Sequence, residues 1–216
     1  MSSRRISGLY GITPQTRDDA WLCSRVEQAL CGGMGVLQYR SKDADASMRL
    51  RQSRALLALC RGHGVPLVVN DDIELALAIG ADGVHLGRDD AAVEHARRTL
   101  GRAAIIGVSC YADLGRLEPA VHAGADYVAF GSFFPSRVKP GAPCPSPGIL
   151  RQARARCDLP LVAIGGITPG NARVLVEHGA DALAVISALF DVPDTLAAAR
   201  AFAACFDRCT TAALPT

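Results

Sequence analysis

The chain has 216 residues, half of them hydrophobic and 20% charged, with a formal net charge of +2. At about 150 residues per domain this length allows one large domain or two small ones, and the apolar content excludes a disordered chain. A balance so near neutrality argues against a nucleic-acid partner. The longest uncharged stretch, Leu159–Ala172, holds two adjacent glycines and a proline and so cannot span a membrane. The segment Met1–Gly8 carries Arg4 and Arg5 but no apolar run, so no secretion signal is expected. The eight cysteines lack C-x-x-C pairing. Cys23, Cys31, Cys60 and Cys205 fall at apolar helix-like positions and read as small core residues of a protein in the reducing cytoplasm.

Taken in chain order, the first predicted strand is Gly8–Ile12, and a helix then leads through Gly32-Gly33-Met34-Gly35 into a second strand over 36–40. The third strand is Leu67–Asn70, after a helix whose apolar positions include Leu56, Leu59 and Cys60. Leu75, Ala78 and Ile79 mark the next helix, which runs through Gly80-Ala81-Asp82 into a strand over 83–87. Val93, Ala96 and Leu100 precede the fifth strand, Ile105–Ser109. Gly124-Ala125-Asp126 introduces a strand over 127–131, Leu161–Ile164 is the seventh, and Gly179-Ala180-Asp181 introduces the last, over 182–187. A glycine just past a helix supplies a left-handed cap, and the apolar run after it is a buried strand. Four such seams of one design imply repeated βα units, and near-continuously apolar strands imply a parallel sheet covered on both faces.

Eight units without a linker predict a single-domain (β/α)8 TIM barrel over 1–216, with short tails at 1–7 and about 209–216. A doubly wound open sheet is the alternative, but no G-x-G-x-x-G follows the first strand. One connection departs from the rhythm: Phe133–Gly148 holds Pro135, Pro140, Pro143, Pro145 and Pro147, a stiff segment suited to a lid.

In such a barrel the C-terminal strand ends build the active site. There the sequence sets Gln38, Arg40 and Lys42 in alternation, then Asn70, Asp71 and Asp72, then Gly87, Asp89 and Asp90. Ser109, Ser136, Lys139, Gly165-Gly166 and Ile186-Ser187 complete the set. Only two of the 23 basic residues are lysines, Lys42 and Lys139, and both fall on this face. Arg40, Lys42, Lys139, Ser109 and Asn70 are donors for an anion with several oxygens, such as pyrophosphate. Asp71 and Asp90 would repel that anion unless a cation stood between, and Mg²⁺ typically takes one or two carboxylates with phosphate oxygens and waters. The glycines after the seventh strand and the turn after the eighth suit a separate phosphate monoester. Two phosphorylated substrates and loss of pyrophosphate follow as the expected chemistry. Against these roles, Asp71-x-x-Glu74 also fits a capping box, Asp72, Asp89 and Asp90 are possible helix caps, and the glycine pair could serve packing alone. His85, in mid-strand, reads as a satisfied interior histidine; His63, His95, His122 and His178 read as surface residues, and Asp82, Asp126 and Asp181 as structural.

The motifs Leu9-Tyr10-Gly11-Ile12-Thr13, Gln38-Tyr39-Arg40-Ser41-Lys42, Val69-Asn70-Asp71, Gly83-Val84-His85-Leu86-Gly87-x-x-Asp90, Ile106-Gly107-Val108-Ser109 and Ala163-Ile164-Gly165-Gly166-Ile167 stand in this order. With the Gly131–Lys139 loop, and on to Ala184-Val185-Ile186-Ser187, they resemble the thiamine-phosphate synthase family over nearly the whole chain. The resemblance implies a transferase that joins hydroxymethylpyrimidine diphosphate to a thiazole phosphate in thiamine biosynthesis, releasing pyrophosphate by a dissociative route. It implies Mg²⁺ on Asp71 and Asp90. It also implies that Arg40, Lys42, Asn70, Ser109 and Lys139 grip the pyrophosphate, that Gln38 meets the pyrimidine, and that Gly166, Ile186 and Ser187 hold the thiazole phosphate. Arg40, Lys42, Ser109 and Lys139 are then the catalytic set, with Ser136 beside them.

The family's lid commonly reads Thr-x-Thr-Lys, whereas Ser136-Arg137-Val138-Lys139 keeps one hydroxyl and loses the other, a contact worth about 1 kcal/mol. Partners are expected to be these small molecules, with a homo-oligomer possible. The competing functions are a thiazole tautomerase, which wants a proton shuttle rather than a pyrophosphate clamp, and a non-catalytic phosphate sensor. A Schiff-base aldolase using Lys42 or Lys139 is disfavoured because neither lysine has an apolar pocket to lower its pKa.

Overall fold

A computed structural model describes residues 6–87, 90–135 and 144–207, with the side chains of Asp90 and Ala91 outside the description. Eight parallel strands close on themselves in chain order: β1 (Gly8–Ile12), β2 (Met34–Tyr39), β3 (Leu67–Asn70), β4 (Gly83–Leu86), β5 (Ile105–Tyr111), β6 (Tyr127–Gly131), β7 (Leu161–Ile164) and β8 (Ala182–Val185). Outside them lie α1 (Asp19–Cys31), α2 (Ala46–His63), α3 (Ile73–Ile79), α4 (Asp90–Leu100), α5 (Leu117–His122), α6 (Gly148–Arg154), α7 (Pro169–Glu177), α8 (Ser187–Phe190) and α9 (Thr195–Ala203). The barrel expected from the repeat is the barrel observed.

The Gly-Ala-Asp seam is a three-part joint. Gly80, Gly124 and Gly179 take φ of 67°, 88° and 101°, left-handed values that a side chain disfavours. The alanine N–H then reaches back to the helix, Ala81 to Ala76, Ala125 to Ala120 and Ala180 to Leu175, each at 2.9–3.0 Å. The aspartate clasps the start of the preceding strand. Asp82 accepts the Leu67 N–H at 2.9 Å, Asp126 that of Ile106 at 2.7 Å, and Asp181 that of Leu161 at 2.8 Å. Each aspartate N–H returns a bond to the same residue's carbonyl. Asp126 and Asp181 also pair with Arg97 and Arg154. These aspartates are structural, as the sequence suggests, and stitch neighbouring units at the N-terminal end of the barrel.

Strand alternation sorts the apolar residues into two layers. Leu37, Val69, Val84, Val128 and Leu183 face the helices in one large cluster. Tyr10, Val36, Val68, Ile105, Tyr127 and Val162 fill the interior, joined by Ile6, which is buried although it precedes the first strand. The interior tapers by size. Gly107 is the register partner of both His85 and Tyr127, and a Cβ there would overlap the Tyr127 ring. The missing side chain leaves that ring its place, stacked on His85 with centroids 5.5 Å apart.

Cys60 is buried in α2, as expected, but Cys31 is exposed and Cys23 and Cys205 are only partly buried. Cys31 is the last residue of α1 and lies on its solvent side, next to the buried Ala29 and Leu30. In α3, Ala76 rather than Ala78 is the buried alanine, because at about 100° per residue Ala76 falls on the inward arc with Leu75 and Ile79 while Ala78 falls outside it. No helix among the described residues is long and apolar enough to cross a membrane.

Two substitutions test the joint and the taper. Asp126→Ala should cost about 2 kcal/mol, because it strands the Ile106 N–H and takes the carboxylate from the Arg97 guanidinium, which is left with backbone carbonyls as partners. Gly107→Ala should cost about 1–3 kcal/mol by overpacking. Urea unfolding midpoints at constant m-value measure both.

Candidate active site

The strand ends that the sequence singles out surround one cavity of about 750 Å³ at the C-terminal mouth of the barrel. Gln38, Arg40, Asn70, Ser109, Gly166, Ile186 and Ser187 all line it. Lys42 does not. The alternation that would carry it inward ends with β2 at Tyr39, and Lys42 lies exposed in the following loop, its N–H donated to Gln15 Oε1 at 2.9 Å. Ser136, Val138 and Lys139 lie outside the described residues, as do Asp89 and the carboxylate of Asp90, whose backbone opens α4.

One wall is made of side chains. Arg40 leaves the end of β2 with its backbone held by Thr13: the Arg40 N–H donates to Thr13 Oγ1 at 2.8 Å, and Thr13 Oγ1 donates to the Arg40 carbonyl at 3.1 Å. Beside it Asn70 Nδ2 donates to Asp71 Oδ2 at 2.7 Å. Asp71 is not the cap of α3. That role falls to Asp72, whose carboxylate accepts the Leu75 N–H at 2.9 Å. Asp71 instead takes φ of 61°, a left-handed conformation rare outside glycine, with its N–H held by the His85 carbonyl at 2.9 Å. The turn therefore aims an exposed carboxylate, free of capping duty, along the rim beside Gly87.

The opposite wall is backbone. Gly165 and Gly166 have φ of 104° and 62°, and a Cβ on either would strike Ser132 or the carbonyls of Phe134 and Pro135. Close packing against the segment after β6 thus accounts for the glycine pair, while both residues also face the cavity. The Asn171 side chain donates to the Gly166 carbonyl at 3.1 Å and fixes the turn. Ile186 and Ser187, at the start of α8, continue this wall.

The floor is a polar line. Gln38 Nε2 donates to Tyr10 Oη at 2.8 Å, the Tyr10 and Tyr127 hydroxyls are 2.7 Å apart, and Tyr127 Oη is 2.9 Å from His85 Nδ1. His85 Nε2 meets Ser109 Oγ at 2.9 Å. His85 is the satisfied interior histidine expected, and it also borders the cavity. Sequence reasoning missed Tyr10, Tyr127, Thr13 and Tyr111. Tyr127 carries a signal in the repeat itself: the residue after Gly-Ala-Asp is Gly83, Ala182 or, here, a tyrosine, too large to be a neutral filler. Tyr111 follows a register shift at the end of β5 and lines the cavity at φ of 56°. No periodicity announces that bulge.

Burial pushes the His85 imidazole down to about 4, below the ordinary value of about 6.5. Between those values the unfolded chain binds a proton that the folded chain excludes, so stability falls as pH falls from about 6.5 to about 4. The full loss is about 3 kcal/mol, measurable as a falling urea midpoint, and His85→Gln should remove that part of the slope.

The description "Thiamine monophosphate synthase" belongs to a family model that matches residues 9–189. The chain is 53% identical over 192 residues to the thiamine-phosphate synthase of Thiobacillus denitrificans, covering 89% of this chain and 91% of that protein. It is 54% identical over 202 residues to that of Chromobacterium violaceum, covering 94% and 97%. A solved structure of a thiamine phosphate pyrophosphorylase from Pyrococcus furiosus superposes with a TM-score of 0.83 at 34% identity, over 94% of this chain and 96% of that one. With this cover and this identity, the chain belongs to the thiamine monophosphate synthase family.

Proposed function

We propose that this protein condenses 4-amino-5-hydroxymethyl-2-methylpyrimidine diphosphate with 4-methyl-5-(2-phosphooxyethyl)thiazole, giving thiamine phosphate and pyrophosphate. The observation that carries the reading is a single cavity joining two unlike walls. Arg40, Asn70 and Ser109 offer charged, amide and hydroxyl donors to a diphosphate. Gly166, Ile186 and Ser187 offer a turn and a helix start to a monoester. A volume of about 750 Å³ suits two small substrates held together.

The donor set near Asp71 fits a hard divalent cation. Its carboxylate is exposed, takes no part in the α3 cap and stands next to the anion-binding donors. Asp71 and Asp90 would hold Mg²⁺, which when bound supplies charge neutralisation to the departing diphosphate. Arg40, fixed through its backbone by Thr13, meets the charge that grows on the leaving oxygen; Ser109 and Asn70 add hydrogen bonds to it. Lys42, Lys139 and Ser136 belong to the same grip by resemblance alone, Lys42 standing outside the cavity lining. Gln38 orients the pyrimidine from the floor. The remaining barrel walls shield from water the pyrimidine cation that a dissociative departure of the diphosphate would leave. A chain of this kind works on free small molecules in the cytoplasm and needs no membrane or nucleic acid. The tautomerase reading wants an imidazole free to shuttle protons, whereas both His85 nitrogens are committed to Tyr127 and Ser109.

Incubation of the protein with both substrates, with Mg²⁺ or with EDTA, followed by mass spectrometry, tests the reading. Thiamine phosphate is expected only with Mg²⁺, and no product from folded protein in either tube would overturn it. Asp71→Asn should lower kcat/KM by at least about 100-fold and raise the Mg²⁺ concentration for half-activity. The two walls separate kinetically. Arg40→Ala should raise KM for the pyrimidine diphosphate by about 10–100-fold, whereas Ser187→Ala should raise that for the thiazole phosphate alone, by about fivefold.

A further inference from the structure

Gln38, Tyr10, Tyr127, His85 and Ser109 form one unbroken line of hydrogen bonds, with successive separations of 2.8, 2.7, 2.9 and 2.9 Å, from β2 through β1, β6 and β4 to β5. Tyr10, Gln38, His85 and Ser109 reach the cavity, while Tyr127 lies beneath it. Each inner member has one proton to give: one O–H on each tyrosine and one N–H on a neutral imidazole. Burial keeps that imidazole neutral near pH 7. With one proton per link, such a line has a single sense from end to end.

The Gln38 amide sets that sense. Its Nε2 donates to Tyr10, and the Tyr10 hydroxyl is buried with Tyr127 as its one other partner, so a Tyr10 proton kept off Tyr127 would be left unpaired. The Tyr10 proton therefore goes to Tyr127 and, by the same requirement, the Tyr127 proton to His85 Nδ1. The imidazole proton is then on Nε2 and goes to Ser109 Oγ. Ser109 has received a bond from below and keeps its own proton for the cavity. The opposite sense would turn that proton down onto Nε2 and leave lone pairs facing any anion in the cavity. Lone pairs repel phosphate oxygens; a hydroxyl proton binds them.

We propose that Tyr127 and His85 are positioning residues: Tyr127 fixes His85 as the Nε2–H tautomer, and His85 thereby holds the Ser109 hydroxyl as a donor to the diphosphate. This rests on the synthase reading for the identity of the anion, and on the line itself for the sense of the bonds. The aromatic floor is in this way a polarity device as well as packing. Gly107 belongs to it, since only a residue without a Cβ admits the Tyr127 ring against His85.

The tautomer is read without substrate, from ring ¹⁵N shifts of histidine-labelled protein at pH 7.5, with His85 assigned by comparison with His85→Gln. A pyrrole-type Nε2 and a pyridine-type Nδ1 are expected. A pyrrole-type Nδ1 in the unaltered protein means the reverse sense and overturns the proposal whatever any variant does. Tyr127→Phe and Tyr10→Phe each delete one buried hydroxyl of the same cluster and so share a structural cost. Only Tyr127→Phe removes the donor to Nδ1, so it alone should populate the Nδ1–H tautomer. It should also weaken binding of inorganic pyrophosphate with Mg²⁺, measured by calorimetry, by about tenfold. His85→Gln, whose amide N–H can stand in for Nε2–H, should restore most of the pyrophosphate affinity that His85→Leu loses. Identical tautomers and affinities in the two tyrosine variants would overturn the proposal. An Nε2–H imidazole in a protein that makes no thiamine phosphate would count against the synthase reading and leave the sense of the line standing.

Discussion

The hydrogen bond between the Tyr10 and Tyr127 hydroxyls, 2.7 Å long and fully buried, joins strands β1 and β6 across the interior of the barrel. A closed ring of eight strands has a hollow that only its own side chains can fill. Below this bond Ile6, Val36, Val68, Ile105 and Ala182 fill it with aliphatic volume. Above it the strands end in Gln38, Asn70, Ser109 and the glycines of the β7 turn, and the hollow stays open. Two phenols in apolar surroundings must find partners for their O–H groups. They find each other, and then Gln38 and His85. The floor of the cavity is the solution to that requirement.

The same economy runs through the connections. Each of the three Gly-Ala-Asp joints uses its glycine for a left-handed turn, its alanine N–H for the helix end and its aspartate for the preceding strand. The rigidity this gives the N-terminal end leaves the opposite end free to carry irregular backbone. Asp71 and Tyr111, the two non-glycine residues of positive φ among those described, both stand at C-terminal strand ends. Both border Gly87, where a Cβ would stand 3.7 Å from the Tyr111 hydroxyl and 3.9 Å from an Asp71 carboxylate oxygen. Strain of this order is tolerated where surrounding structure over-determines the conformation, and it gathers where side chains must be aimed rather than packed.

Aspartates illustrate how one residue type divides among roles. Asp18, Asp45, Asp72 and Asp194 cap helices through their carboxylates. Asp82, Asp126 and Asp181 clasp strands. Asp71 does neither. Next to Asp72 in sequence, it differs only in which of the two the chain turn presents to the helix, and that leaves its carboxylate for the rim.

Much of this was legible in the sequence. The repeated glycine seams and the short apolar runs determined eight βα units, and the seven strand-end residues from Gln38 to Ser187 that meet in the cavity follow from knowing where such strands stop. Helix caps and strand periodicity are local physics, written in neighbouring residues. The choice of Asp72 over Asp71 as cap, the departure of Lys42 from the cavity once β2 ends, and the line from Gln38 to Ser109 were decided only in three dimensions. Each depends on partners far apart in the chain: Tyr127 lies 117 residues from Tyr10 and 42 from His85. No window of sequence contains those pairs. Closure of the barrel brings them within hydrogen-bonding distance, and the cost of burying an unpaired phenol holds them there.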